Sequence, residues 1–592
     1  MLAFGALIDL SLAPLDPDLI TRLRQSLPAI PGRVSIAGMD EAATVHLADA
    51  RSVPFDAELP LITGELVIAG TIRLDARDAL QAALAPASAA ALNDASDARL
   101  VALAYRQWGD RFAERLLGDY AIVVWDRATR RLVCARDPHG NRQLFWGRVG
   151  SLLAVGSGVD VVRSLPGLSS ELFDPAVRGF LRHGWVEEAE RTVFRDVRRV
   201  PAAHTLVLDD TSGTALRRHW EFPVPTPIRY RQDDDYVTHF VEVLHACVRD
   251  RMRTSSAAIL LSGGMDSTML AVAARRAAPA VPLSAFTLSY PTLAPSADDT
   301  LSVDVAARLG LSHRVLDVDH TRALSYLGDL DALPSQPLDE AELALSRESL
   351  ASVAAAAPLV IYGEDGDWLM QAPTLLAQLR AQPFAEVAGS WANYWWSTGR
   401  RPWVGLEWRS RLGRWLGSPS VDRTPWMRAV RAAENAAPRR SPEHPLRPRT
   451  VRALSAPIWD VVYEAMSPAT TLAPVLHTLP LVDPRLLAFV FAIPPVPWCQ
   501  DKQLFRSAMR GALPPAVLTR PKTPLGGFME ARVAQWRAAG GAATPISDRV
   551  APWVDVDAVR RALRAGTASE VVDAWRVLQV DRWLEREERR RA

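Results

Sequence analysis

Through the first 220 or so residues, short apolar runs rich in β-branched side chains alternate with turns and a few helical stretches. Residues 66–69, 121–125, 132–135 and 205–208 are read as strands, because such side chains pack well on a pleated, half-buried surface. Residues 1–9 are read the same way. No positive charge precedes their apolar run and Asp9 interrupts it, so the segment predicts an opening strand and not an export signal. Residues 85–93, heavy in Ala with Pro86 and Ser88, are read as a solvent loop. Near 221–235, Pro223, Pro225 and Pro227 forbid regular structure, and the acidic run at 233–235 leads into a helix.

Beyond that point the rhythm changes to strand, helix, strand, helix. Extended segments are predicted at 257–261, 283–288, 314–318 and 359–362, with helices at 267–276, 300–309 and 340–357 between them. Apolar strands alternating with amphipathic helices predict a parallel sheet covered on both faces. Ligands of such sheets bind beyond the carboxyl ends of the strands. The turns after Leu261 and after Tyr362 are therefore the places to look for chemistry. The pattern divides the chain into a domain at 1–220 and a larger one at 236–592. Residues 375–452 form a Trp- and Arg-rich helical insertion within the second, including Trp391, Trp395, Trp396, Trp403, Trp408, Trp415 and Trp426. These tryptophans are read either as core or as the lining of a peptide groove. The Arg- and Glu-dense end at 582–592 is read as a solvated helix end.

Composition narrows the class. A chain of 592 residues is too long for one compact core. Its formal net charge of +1 gives no global field for nucleic acid or a membrane surface, and no stretch has the roughly 18 apolar residues of a membrane helix. Cys134, Cys247 and Cys499 are odd in number and far apart. They fit neither a disulfide framework nor a metal site, which predicts a reducing, cytoplasmic setting.

The first of the two turns reads Ser262-Gly-Gly-Met-Asp-Ser267. Gly263 and Gly264 let the backbone turn sharply and bring its N–H groups close to a ligand. Ser267 is placed where the helix begins, so unpaired amides and the helix dipole face an anion. The loop lacks a lysine and the Walker spacing, which excludes a γ-phosphate cradle. A carboxylate inside a phosphate loop is repulsive unless a cation intervenes, so Asp266 is a candidate Mg²⁺ ligand; the alternative is a helix cap. The second turn, Tyr362-Gly-Glu-Asp-Gly-Asp-Trp368, packs three carboxylates into four residues. Asp367 is the second candidate Mg²⁺ ligand, and Glu364 a candidate for orienting or deprotonating an amine. Leu261, Leu288, Tyr362 and Gly363, at strand ends, complete the nucleotide-binding candidates.

Together these motifs resemble the asparagine synthetase family, over nearly the whole chain. The second domain carries the resemblance at Ser262 to Ser267, Asp298 to His313, Gly363 to Asp367, Leu481 to Arg485, Lys502 to Arg506, Leu513-Pro514 and Arg520-Pro-Lys522. The first carries it at Leu117 to Asp126, Ala135 to Arg142, and Thr192 to Phe194 before Pro201. The resemblance implies an α/β protein: an N-terminal glutaminase-like α+β sandwich of Ntn-hydrolase type, then a parallel-sheet synthetase domain with a pyrophosphate loop. It implies ATP and Mg²⁺ as cofactors and assigns the catalytic lysine to Lys522, whose alternative is a surface position. Lys502 and Arg506 are expected to pack or pair within the C-terminal helix.

Departures from the family pattern sharpen the expectation. Glutamine-hydrolysing members carry a cysteine after the initiator methionine, where this chain has Leu2, and an Asn-Gly-Glu pocket, where it has Ala69-Gly70-Thr71. The first domain is therefore expected to be inactive as a glutaminase, and the amine must come from a substrate. The segment Ala69 to Asp78 and the Trp/Arg-rich insertion are similar to the lasso peptide cyclase branch, which joins a peptide's N-terminal amine to an Asp or Glu side chain. That implies a precursor peptide, with a leader-binding protein and a leader protease as candidate partners. An asparagine synthetase running on free ammonia, a non-catalytic peptide-binding relic and a tRNA-modifying enzyme are the alternatives.

Overall fold

The computed structural model describes residues 3–30, 34–40, 43–49, 58–84, 95–210, 213–296, 298–405, 424–428, 444–520 and 527–591. The alanine-rich segment 85–93 lies outside them. So do Trp408 and Trp415.

Two six-stranded antiparallel sheets occupy the first part of the chain. One runs Arg198–Arg199, Phe145–Val149, Leu152–Gly156, Ala3–Asp9, Ala43–Asp49, Val34–Asp40. The other runs Thr214–Arg218, His204–Asp209, Arg131–Arg136, Leu117–Asp126, Leu66–Asp75, Leu61–Thr63. The strand period of two explains their stacking. Phe4, Ala6 and Ile8 enter a core shared with Ile68, Ile72, Ile122 and Val124 of the second sheet. The opposite face of the first strand, Ala3 and Leu7, joins a core of helices. Several strands run longer than their apolar runs suggest. Leu66–Asp75 is the clearest case, since it carries the buried polar side chains of Thr71, Arg73 and Asp75.

The proline-rich stretch ends in a helix at Asp233–Arg251. A five-stranded parallel sheet follows, in the order Ser312–Asp317, Leu283–Ser289, Ala257–Leu260, Leu359–Ile361, Leu476–Thr478. Chain order reverses between Ala257–Leu260 and Leu359–Ile361. This is the switch point where crevices open in doubly wound sheets.

Ion pairs buried almost completely join the two parts. Arg73 and Asp75 meet Arg251 and Asp483: Arg251 lies 3.1 Å from Asp75 and 2.6 Å from Asp483. Arg485 adds contacts to Asp483 at 2.9 Å and to Asp250 at 2.7 Å. Burial disfavours the charge on Arg251, yet Asp75 and Asp483 hold its pKa above the ordinary arginine value. Arg136 reaches Asp460 at 3.1 Å and Arg199 reaches Glu464 at 2.8 Å. Toward its C-terminal end, the helix Ala568–Arg591 is exposed only over its last four residues, 588–591. Trp583, Arg586 and Glu587 are buried, and Arg163 meets Glu587 at 2.7 Å while Arg590 meets Asp160 at 2.8 Å. Alternating charge signalled solvent in the sequence, whereas the charges find partners in the first sheet's helices.

The seam between the two parts also holds neutral histidines. Burial pushes the pKa of His477 down to about 3 and that of His139 to about 4. A base whose folded pKa is depressed stabilises the fold fully above its unfolded pKa of about 6.5 and loses that contribution as pH falls toward the folded value. Each of these histidines should therefore withdraw up to about 1.4 kcal/mol of stability per pH unit as pH falls below ~6.5. Urea unfolding at pH 7.5 and 5 reads this directly, and His477→Gln should flatten the slope. An unchanged pH slope in folded His477→Gln would contradict it.

Candidate active site

The turn at 262–264 follows the central strand and is built by backbone needs. Gly263 has a φ of 67°, a left-handed conformation open to glycine at no steric cost. The helix begins at Met265, two residues before the predicted start, with Gly264 as its N-cap, so Ser267 lies inside the first turn. The Ser267 hydroxyl accepts from the Ser262 N–H at 3.1 Å and lies 3.0 Å from Ser262 Oγ. The Leu261 N–H donates to the Phe286 carbonyl at 2.7 Å, and Thr287 Oγ1 donates to the Leu261 carbonyl at 2.6 Å. These bonds fix the strand end from which the loop leaves.

The second turn docks on the first. A Cβ at Gly363 would lie 2.8 Å from the Ser267 N, and one at Gly366 would lie 2.4 Å from the Asp266 carboxylate. Both glycines exist for this approach. Gly366→Ala should push the Asp266 carboxylate aside and lower turnover about a hundred-fold with the fold retained, because displacements near 1 Å cost that much in a preorganised site. Steady-state kinetics check this, and a wild-type rate would contradict it.

The three carboxylates of the second turn go to different places. Asp367 turns toward Asp266. Asp365 lies buried under the turn at a φ of 75°, and burial, with the nearby Glu364 and Asp266 charges, pushes its pKa up to about 8. Glu364 stays solvent-accessible at the cleft mouth, where desolvation by the walls and repulsion from Asp266 and Asp367 raise its pKa.

Between Asp266 and Asp367 lies the ammonium of Lys502. It donates to both oxygens of Asp266, at 2.7 and 2.6 Å, and reaches Asp367 Oδ1 at 2.6 Å. This corrects the expectation that Lys502 pairs within the C-terminal helix. Arg506 does serve that segment, holding the carbonyls of Asp501, Leu518 and Arg520. Lys522 lies outside the described residues; the chain leading to it lines the cleft from Val517 to Arg520.

One cleft of about 1260 Å³ opens at the two turns. Leu261, Ser262, Gly263, Gly264, Asp266, Ser267, Leu288, Tyr362, Gly363, Glu364 and Asp367 all line it. Sequence reasoning missed Tyr290, Asp299, Tyr394, Thr398, Arg400 and Lys502, which line it too. A compositional signal was available for the last. Of 68 lysines and arginines in the chain, only Lys502 and Lys522 are lysine.

The donor set suits a divalent cation carried by a polyphosphate. Two carboxylates converge on one ammonium, which marks a place where positive charge is stabilised. Among the described residues no three His, Cys, Asp or Glu side chains form a metal site by themselves. Ligand oxygens would have to complete the shell, as they do for metal–nucleotide complexes.

The family profile described as asparagine synthase matches residues 239–585, more than half of the chain. The chain belongs to the asparagine synthase family. A second profile, described as a glutamine amidotransferase domain, matches residues 41–220. A putative glutamine-hydrolysing asparagine synthetase of Mycobacterium tuberculosis strain H37Rv is 28% identical over 303 residues, covering 49% of this chain and 45% of that protein. An amidase of Penicillium rubens is 29% identical over 179 residues, covering 30% and 26%. A glutamine-hydrolysing asparagine synthetase of Bacillus subtilis is 23% identical over 176 residues, covering 30% and 28%. The chain thus spans less than half the length of these relatives. Among solved structures, a glutamine phosphoribosylpyrophosphate amidotransferase of B. subtilis overlaps 62% of this chain and 77% of its own, at 12% identity and a TM-score of 0.25. Within the asparagine synthase family ATP is the activating nucleotide, which fits the glycine turn at the switch point. No helix among the described residues is long and apolar enough to cross a membrane.

Proposed function

We propose that the protein is an ATP-dependent carbon–nitrogen ligase that activates a carboxylate as an acyl-adenylate and passes it to an amine. The convergence of Asp266, Asp367 and the Ser262–Ser267 turn at the sheet's switch point carries this reading. Asp266 and Asp367 would hold Mg²⁺, which supplies charge neutralisation on the phosphates when bound. Backbone N–H groups of Gly263 and Gly264 and the Ser267 hydroxyl orient the triphosphate. A carboxylate oxygen attacks the α-phosphorus and pyrophosphate leaves. The amine then attacks the acyl carbon and AMP leaves. Glu364, at the cleft mouth, orients the amine and takes its proton, for which its raised pKa suits it. Lys522 is proposed to stabilise charge developing at the adenylate.

The finer proposal is that both reacting groups belong to one peptide, closed into a macrolactam of the lasso type. Two features support it. The cleft is larger than the roughly 300–1,000 Å³ usual for small ligands. Beside its wall at Tyr394, Thr398 and Arg400, the helix Phe384–Thr398 exposes Phe384, Trp395 and Trp396, the last to 93%. Trp426 is core, and Trp391 donates to Gln378 at 3.1 Å, whereas Trp395 and Trp396 stay exposed. The first domain, with Cys134 buried in its core and its thiol pKa raised by burial, is proposed to be a non-hydrolytic brace.

Family membership favours a second reading, an asparagine synthetase fed by free ammonia. Mass spectrometry with a precursor peptide from a neighbouring reading frame separates the two. The cyclase reading expects that peptide to lose one water in the presence of ATP, with no asparagine made from aspartate and ammonium. Asparagine formation with an unchanged peptide would overturn it.

A further inference from the structure

The ammonium of Lys502 occupies the place a divalent cation would take. It lies within 2.7 Å of both carboxylates proposed as metal ligands. Its backbone is forced there: Asp501 and Lys502 have φ values of 46° and 55°, two successive non-glycine residues in the left-handed region. Such strain persists where the surroundings over-determine it. Composition adds an independent argument. A chain that uses arginine at 66 of its 68 Lys/Arg positions (68 minus Lys502 and Lys522) keeps lysine here. An ammonium is a compact point charge that fits between two carboxylates, whereas a guanidinium is a wide planar fork.

We propose that Lys502 is a built-in counter-cation which holds Asp266 and Asp367 together before nucleotide arrives and excludes a free divalent cation from them. Metal then enters with the triphosphate, whose negative charge accepts the displaced ammonium. Lys502 is thus a positioning residue that couples metal entry to nucleotide entry. This rests on the metal–nucleotide reading of the site.

The test uses Mn²⁺ alone, with the full-length protein and no nucleotide, following free Mn²⁺ by electron paramagnetic resonance. Lys502→Met should bind Mn²⁺ at least about ten-fold more tightly than wild type, because a positive charge has left the carboxylate pair. Adding Asp367→Asn to that variant should abolish the gain. Equal or weaker binding by a folded Lys502→Met protein overturns the proposal. A wild-type measurement keeps it testable if that variant does not fold. With only two lysines, amine acetylation is resolved site by site by mass spectrometry. Saturating Mn²⁺ alone should leave the labelling rate of Lys502 as it is in EDTA; a several-fold rise, the sign that free metal displaces the ammonium, overturns the proposal. Pyrophosphate release by wild type is assayed separately. Its absence would count against the ligase reading, while its presence beside a failed Mn²⁺ result would count against the coupling alone.

Discussion

Asp266→Asn should reduce pyrophosphate release by about a thousand-fold or more, while unfolding stays cooperative with a midpoint near that of wild type. The substitution is nearly isosteric and removes one negative charge from the cleft. It breaks no core packing, because Asp266 sits at the cleft wall in contact with Lys502 and beneath Gly366. Preorganised charge around transferring phosphoryl groups accounts for several kcal/mol of barrier, and about 4 kcal/mol corresponds to three powers of ten. Asp367→Asn should behave similarly, with a smaller loss because this side chain is more exposed than that of Asp266. Continuous pyrophosphate assays at saturating ATP check both. Activity of Asp266→Asn within ten-fold of wild type would show that the carboxylate does not meet the phosphates.

The largest stability effect is expected at Arg251→Met, a loss of about 3–5 kcal/mol in chemical denaturation. Arg251 is the cation between Asp75 of the first part and Asp483 of the second, and all three are buried. Removing it leaves two carboxylates facing each other in a low-dielectric seam, since Arg73 and Arg485 each serve only one end. The consequence extends to the site. Asp483 caps the helix Pro484–Ala492 by accepting from the Arg485 N–H at 2.9 Å. It directly follows the short helix Pro480–Val482, which packs against Gly366–Leu369, where Asp367 resides. A loss below about 1 kcal/mol would mean that water or a neighbouring arginine takes over the charge.

The nucleotide loop was legible in the sequence because its chemistry is local. A glycine turn, an aspartate and a serine lie within six residues, between an apolar strand and an apolar helix. The parallel sheet was legible for the same reason, through the change from alternating runs to strand–helix rhythm. What escaped depends on contacts across hundreds of residues. Lys502 reaches Asp266 over a separation of 236 positions, and no periodicity places it there. Glu364 and Asp367 have separate roles in the sequence reading, but nothing there shows that Asp365 between them takes a left-handed conformation and is buried. The seam was equally silent, since Arg73, Asp75 and Arg251 look like surface charges until the fold buries them against one another. Arg586 and Glu587 in the C-terminal helix misled in the same way.

The cleft is proposed to link ATP to a carboxylate through the α-phosphate. The most direct measurement uses a peptide substrate labelled with ¹⁸O in its Asp or Glu side-chain carboxylate, with the released nucleotide analysed by mass spectrometry. Adenylation predicts AMP carrying one ¹⁸O, with unlabelled pyrophosphate. ADP and labelled inorganic phosphate, the signature of attack at the γ-phosphorus, would contradict it.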